Sequence, residues 1–355
     1  MPNHRQWMLS LACALSLLPA ATMAQPASAP GKVLPRVIVL STGGTIAGSS
    51  RSSTDTTNYV SGQKSGNELV QAVPEIAAIA DVTVDQVANV KSPDLTNAHL
   101  LVISKAVSKY LADESVSGVV ITHGTSTLEE TAIFLELTVK SDKPVVVVGA
   151  MRPATAISAD GPFNLLQAIA LAASPQARGR GVMIVANDRI GSAMYTTKTN
   201  TLAVDTFRAA EQGMLGVFVG PKPRFFYAPA KVPGQPKFDI SATSKLPKVD
   251  IVYGYLEEDD ALLDFAIRNG ARGVIVAGTG NSSLSDAMTR KVAQLTLKGF
   301  PVVRASRVGS GFASEKSEGI GAGFYNPQKA RMLLALAINQ GADLETIRSY
   351  FIPRD

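Results

Sequence analysis

Val37-Ile38-Val39-Leu40-Ser41-Thr42-Gly43-Gly44-Thr45-Ile46-Ala47-Gly48 is the stretch that decides the fold. Val37 to Leu40 is a short apolar run rich in β-branched residues, the composition of a strand buried on both faces of a parallel sheet. Gly43 and Gly44 carry no Cβ, so the backbone can turn sharply there and approach a ligand closely. Thr45 is thereby delivered to the carboxyl end of a first strand, where open α/β sheets place their sites. Gly43, Gly44 and Gly48 do not fit the dinucleotide pattern G-x-G-x-x-G, and no Gly-Lys-Ser/Thr follows to make a P-loop.

A second stretch is built to the same plan. Val119-Val120-Ile121 runs into Thr122-His123-Gly124-Thr125-Ser126-Thr127-Leu128-Glu129-Glu130: a β-branched run, then glycine, then threonine, then a helix start. Ser126 or Thr127 is expected to cap that helix, and Glu129 and Glu130 in its first turn complement its dipole. A capped helix after a strand explains most of these residues, but not a second Gly-Thr hydroxyl at the same topological level. His123 reads as a core or supporting residue before it reads as a catalytic one.

Around these stretches the chain from Val37 to about Ala193 alternates short apolar runs with helical periodicity, the signature of βαβ units. Ser49 to Gln63 is a polar loop over the end of the first strand, with Tyr59 its one aromatic residue. Glu68 to Ile79 is helical with a break at Pro74, Val82 to Val90 is a strand, and His99 to Leu111 is an amphipathic helix. Gly220 to Lys248 holds many prolines and little periodicity, which marks a domain connection, and a second α/β unit follows. The expected divisions are a leader at 1–24, an exposed segment at 25–35, an α/β domain at 36–220, a linker at 221–249 and a smaller α/β domain at 250–355.

Composition narrows the function. The chain has 355 residues, 46% hydrophobic and 18% charged, with net charge +5. Its lysines and arginines form no stripe interleaved with aromatics, which argues against nucleic acid. Met8 to Leu18 followed by Thr22-Met23-Ala24 resembles a cleaved secretory leader, so a periplasmic or secreted protein is expected, free of the membrane once the leader is removed. Cys13 is the only cysteine; His99 and His123 are the only histidines beyond the leader, and neither zinc nor iron spacing is present.

Thr45, Thr125 and Lys198 remain to share one pocket. Adjacent parallel strands ending in Gly-Thr put both hydroxyls at one switch point, and a long loop can return Lys198, in Thr197-Lys198-Thr199-Asn200, to it. A threonine hydroxyl becomes a nucleophile when a base takes its proton, and a desolvated lysine can serve, directly or through another hydroxyl. Ser61-Gly62-Gln63-Lys64 matches Ser-x-x-Lys only by spacing, and no G-x-S-x-G exists.

Thr42 to Gly48, Thr122 to Thr125, Gly149-Ala150-Met151-Arg152-Pro153, Ser158 to Asn164, Thr197 to Asn200 and Asn326-Pro327-Gln328-Lys329-Ala330-Arg331 together resemble the bacterial type II (periplasmic) L-asparaginase and glutaminase-asparaginase family. The resemblance spans nearly the whole chain after the leader. It implies a larger flavodoxin-like N-terminal domain with a parallel-type sheet, a smaller α/β C-terminal domain, no cofactor, and a homotetramer of intimate dimers with sites shared between subunits. By position it makes Thr45 the nucleophile with Gly44 beside it, Tyr59 its partner in proton removal, and Thr125 with Lys198 the second hydroxyl–amine pair, next to Gly124. Ser92 takes the substrate's α-carboxylate, and Asn281 and Glu318 are lent by the neighbouring subunit, although the loop holding Glu318 is shorter than is usual in the family. Two positions depart from the family: Ser126 stands where it has an aspartate that binds the α-ammonium, and Pro93 where it has Gln or Glu. The implied activity is release of ammonia from L-asparagine, with L-glutamine as a further substrate. The departures keep two alternatives: an amidase of the same mechanism on an amide lacking a free α-ammonium, and a catalytically dead periplasmic binding protein.

Overall fold

The computed structural model describes residues 33–352; the expected leader lies outside them. The chain opens with β1 (Arg36–Gly43), α1 (Gly66–Gln71) and β2 (Asp81–Val90), then α2 (Asn97–Ala112), β3 (Val116–Thr122), α3 (Leu128–Thr138) and β4 (Val145–Val148). It continues through α4 (Gly161–Ala172), β5 (Val182–Ala186) and β6 (Arg189–Ser192) into a small ribbon, β7 (Thr197–Lys198) and β8 (Phe207–Arg208), before β9 (Gly216–Val219) and β10 (Lys222–Phe225) rejoin the sheet. The eight-stranded order is β10-β9-β6-β5-β4-β3-β1-β2, with β2, β1, β3, β4 and β5 parallel and the rest antiparallel.

The order β2-β1-β3-β4-β5 reverses between β1 and β3, the switch point at which open α/β sheets leave a crevice beyond the strand ends. Alternation within the strands explains why both faces are covered. Val37, Val39, Val120 and Val146 point to one face and pack with Leu69 of α1 and Leu165 and Ile169 of α4. Ile38, Leu40, Ile121 and Val147 point to the other and pack with Ile103 and Val107 of α2 and Leu128 and Leu135 of α3.

A second sheet follows: β11 (Val249–Tyr253), α5 (Ala261–Arg268), β12 (Gly273–Gly278), α6 (Asp286–Leu297), β13 (Val302–Ser306) and β14 (Ile320–Gly321), then α7 (Pro327–Asn339) and α8 (Leu344–Phe351). Its four strands are parallel, in the order β11-β12-β13-β14. Leu263 and Ala266 of α5 and Met288 and Val292 of α6 cover one face. On the other, Leu333 and Leu336 of α7 join Ile275 and Val303 in a cluster that includes Ile133, Phe134 and Leu137 of α3. The larger parallel-type α/β sheet and the smaller α/β unit are therefore both present as expected.

Three local expectations are modified. The first sheet runs past Gly220, because Gly220 at φ 61 turns the chain back so that Lys222–Phe225 pairs with Gly216–Val219. α1 stops at Gln71, and Pro74 opens a separate 3-10 turn, Pro74–Ala78. Thr127 sits at the N-cap of α3 without capping it by its side chain; its hydroxyl donates instead to the Ser92 carbonyl at 2.9 Å.

Candidate active site

Thr45 opens a 3-10 turn directly after β1 and is buried. The turn depends on Gly44, held at φ 83: a Cβ there would lie 2.4 Å from the backbone nitrogen of Gly124, so the turns after β1 and β3 touch only because both residues are glycine. The polar loop returns to this point. Ser49 and Val60 exchange backbone hydrogen bonds of 2.9 Å, Gln63 N–H donates to the Ala47 carbonyl at 2.7 Å, and the Tyr59 ring lies against Gly48. The Tyr59 hydroxyl thereby reaches the Thr45 hydroxyl at 2.7 Å.

The turn after β3 carries the second hydroxyl. Thr125 is buried, and its Oγ1 accepts from Lys198 Nζ at 2.9 Å. Beneath it, His123 is fully buried. Its Nδ1 lies 2.7 Å from the Gly124 carbonyl, which can only accept, so Nδ1 carries the proton and Nε2 accepts from the Thr131 hydroxyl at 2.8 Å. Burial pushes its pKa down to about 4 and keeps the ring neutral. His123 thus braces the turn from within the core, in the supporting role expected.

Ser92 comes to the same place from the short turn Ser92–Asp94 after β2. It is buried, and its Oγ accepts from the Ser126 N–H at 3.3 Å. A Cβ on Gly124 would meet that Oγ at 2.7 Å. Pro93 and Ser126, the two departures from the family pattern, are both exposed at the rim and carry no charge.

Lys198 is half-buried, and burial lowers its pKa from the ordinary lysine range. Behind it stands a buried polar cluster that the sequence did not reveal. Glu129 Oε1 accepts from the Thr197 hydroxyl at 2.8 Å and from Gln328 Nε2 at 3.2 Å, while Oε2 accepts from Asn326 Nδ2 at 2.9 Å. Lys329 Nζ lies 3.7 Å from Oε2 and donates to the Met194 and Thr196 carbonyls at 2.9 and 2.7 Å. Burial pushes Lys329 down to about 8, against the pull of Glu129. Neighbouring Glu130 is raised to about 7, because its desolvation outweighs the Arg331 guanidinium 3.5 Å away.

Asn281 and Glu318 sit on loops of the second sheet. Asn281 exchanges hydrogen bonds with Ser314 at 2.9 Å, and Glu318 accepts from Ser317 at 2.7 Å and pairs with Arg304 at 3.7 Å. Among the described residues, no hydrogen bond or ion pair links either to Thr45, Thr125 or Lys198.

A family model described as asparaginase, N-terminal, matches residues 36–231, and one described as glutaminase/asparaginase C-terminal domain matches residues 248–351. The L-asparaginase 2 of Bacillus subtilis (strain 168) is 46% identical over 325 residues, covering 90% of this chain and 87% of that protein. The L-asparaginase 2 of Escherichia coli (strain K12) is 42% identical over 326 residues, covering 90% and 93%. The crystal structure of a probable cytoplasmic L-asparaginase from Campylobacter jejuni aligns with a TM-score of 0.86 at 42% identity, over 90% of this chain and all of that one.

The last of these corrects the expected location. A periplasmic or secreted protein was inferred from residues 1–24, yet a structural relative that covers 90% of this chain is described as a probable cytoplasmic L-asparaginase. With Cys13 its sole cysteine, this chain can form no internal disulfide, so its fold does not depend on an oxidising compartment.

Proposed function

The chain belongs to the asparaginase family, and on that premise we propose that it hydrolyses the side-chain amide of L-asparagine, releasing ammonia and aspartate through an acyl-enzyme on Thr45. The observation that carries this reading is the pairing of each buried threonine hydroxyl with a group able to exchange a proton with it, on touching turns: Thr45 with the Tyr59 phenol at 2.7 Å and Thr125 with the Lys198 amine at 2.9 Å. Thr45 Oγ1 attacks the amide carbonyl as its proton passes to the Tyr59 oxygen in phenolate form, and that proton is then handed to the leaving nitrogen. Backbone N–H groups of the two glycine turns receive the developing oxyanion. Collapse breaks the C–N bond, the nitrogen leaves as ammonia carrying the proton first removed from Thr45, and an ester remains on Thr45. Water, deprotonated through Thr125 and Lys198, then cleaves that ester. Ser92 holds the α-carboxylate, with Gly44 and Gly124 giving the substrate close access to the backbone. L-Glutamine, one methylene longer, is the secondary substrate.

Asn281 and Glu318 enter this scheme from a second copy. Their positions on second-sheet loops, bonded only to neighbours there, support sites shared between subunits in a dimer of intimate dimers. Light scattering of the purified chain tests this, and a monomer that retains full activity would rule it out.

A second reading is favoured by the uncharged rim. Ser126 and Pro93 offer an α-ammonium no anionic partner, which suits an amide acid lacking that group, such as an N-acylated asparagine or a succinamate. The inert binding protein is set aside, since the family is one of hydrolases. Ammonia release from asparagine, glutamine and N-acetylasparagine, measured side by side, separates the remaining two. Asparagine is expected to be turned over fastest; preference for the acetylated substrate would reverse the order of the readings. Ser126→Asp is expected to lower KM for free asparagine about 10-fold, the size of one charge-assisted hydrogen bond. A raised KM would contradict this account of the rim.

A further inference from the structure

We propose that Glu129 is a positioning residue for Lys198, acting through Thr197, with Lys329 holding the other side of the same carboxylate. The inference rests on the amidohydrolase reading and concerns how its lysine is held in place. Lys198 ends a long, rotamer-rich side chain, and holding its amine on Thr125 requires a fixed backbone. Its own strand cannot supply that, because β7 spans only Thr197–Lys198 and pairs with an equally short β8.

Glu129 supplies it instead. The residue lies in the first turn of α3, the helix entered directly from the Thr125 turn. Its Oε1 takes the Thr197 hydroxyl at 2.8 Å and lies 3.4 Å from the Lys198 backbone nitrogen. Both ends of the contact between Lys198 and Thr125 are thus referenced to one rigid helix. Lys329, from α7 against the second sheet, completes the arrangement: it faces Glu129 Oε2 and grips the Met194 and Thr196 carbonyls just ahead of β7. Asn326 and Gln328 fill further lone pairs of the carboxylate. The second unit therefore helps to set the position of a lysine in the first.

Thr197→Val tests this without unpairing the buried ions, since Glu129 keeps Asn326, Gln328 and Lys329. The variant is expected to lose about 10-fold in kcat for asparagine, as a small misplacement of a proton-transfer group does, with KM within about 2-fold. Its melting temperature should stay within about 4 °C of wild type, and Thr197→Ser should restore kcat. Unchanged kcat in Thr197→Val, a change confined to KM, or failure of serine to rescue would each overturn the proposal while leaving the amidohydrolase reading standing. A wild-type chain that releases no ammonia overturns both.

Discussion

Thr45→Val is expected to lower kcat for asparagine by about 10⁴-fold or more, because it removes the oxygen that forms the acyl bond rather than a group that assists it. Valine matches threonine in shape, and the site is already buried, so packing is kept. The folded state loses one hydrogen bond, that to Tyr59, worth about 1 kcal/mol. A melting temperature within about 4 °C of wild type would separate lost chemistry from lost fold. Substrate affinity, which the proposal assigns to Ser92 and the rim, should change little in the inactive variant when binding is measured directly by calorimetry. A Thr45→Val protein with more than a tenth of wild-type turnover would remove Thr45 from the chemistry.

Lys198→Met is expected to cost about 10²- to 10⁴-fold in kcat, the range for loss of a positioned general base. Methionine keeps most of the aliphatic stem and deletes the amine, leaving the Thr125 hydroxyl without its partner at 2.9 Å. The pH dependence gives the sharper test. Burial lowers the pKa of Lys198, so the neutral, basic form grows in as pH rises through a value below that of an exposed lysine. Wild-type kcat should therefore climb with pH and level off earlier than an unperturbed lysine would allow. Lys329, held at about 8, titrates nearby, and His123, at about 4, does not. Only the rising limb that Lys198→Met abolishes belongs to Lys198. A variant that keeps that limb would show that another group is the base.

The fold was legible wherever burial imposed a local pattern. Val37–Leu40, Val119–Ile121 and Pro144–Val148 are apolar and β-branched because both faces of their sheet are covered, and glycine follows β1 and β3 because their turns touch. Thr45 and Thr125 could be found for the same reason, as hydroxyls one step beyond those glycines. The short strands β6 to β10 were not legible. Two to four residues carry too little periodicity, and in Lys222–Phe225 only alternate residues are partly covered.

The cluster behind Lys198 was hidden for a different reason. Glu129 reads in sequence as a helix-dipole carboxylate, and its partners Thr197, Asn326 and Gln328 stand 68, 197 and 199 residues away. Nothing within reach of any local pattern connects them. The role proposed for Ser92 was equally unavailable from the residues themselves and came from family resemblance; the structure adds that it is buried and hydrogen-bonded to Ser126 and Thr127. The export reading, drawn from leader-like composition in residues 1–24 alone, is the one overturned by the likeness to a probable cytoplasmic L-asparaginase.

The most direct measurement is acid quenching of the enzyme during turnover of asparagine, followed by peptide mass spectrometry. An aspartyl ester on the peptide that contains Thr45, absent from Thr45→Val, is the predicted result. An ester on Thr125 or Ser61, or sustained ammonia release with no adduct under conditions that slow deacylation, would contradict it.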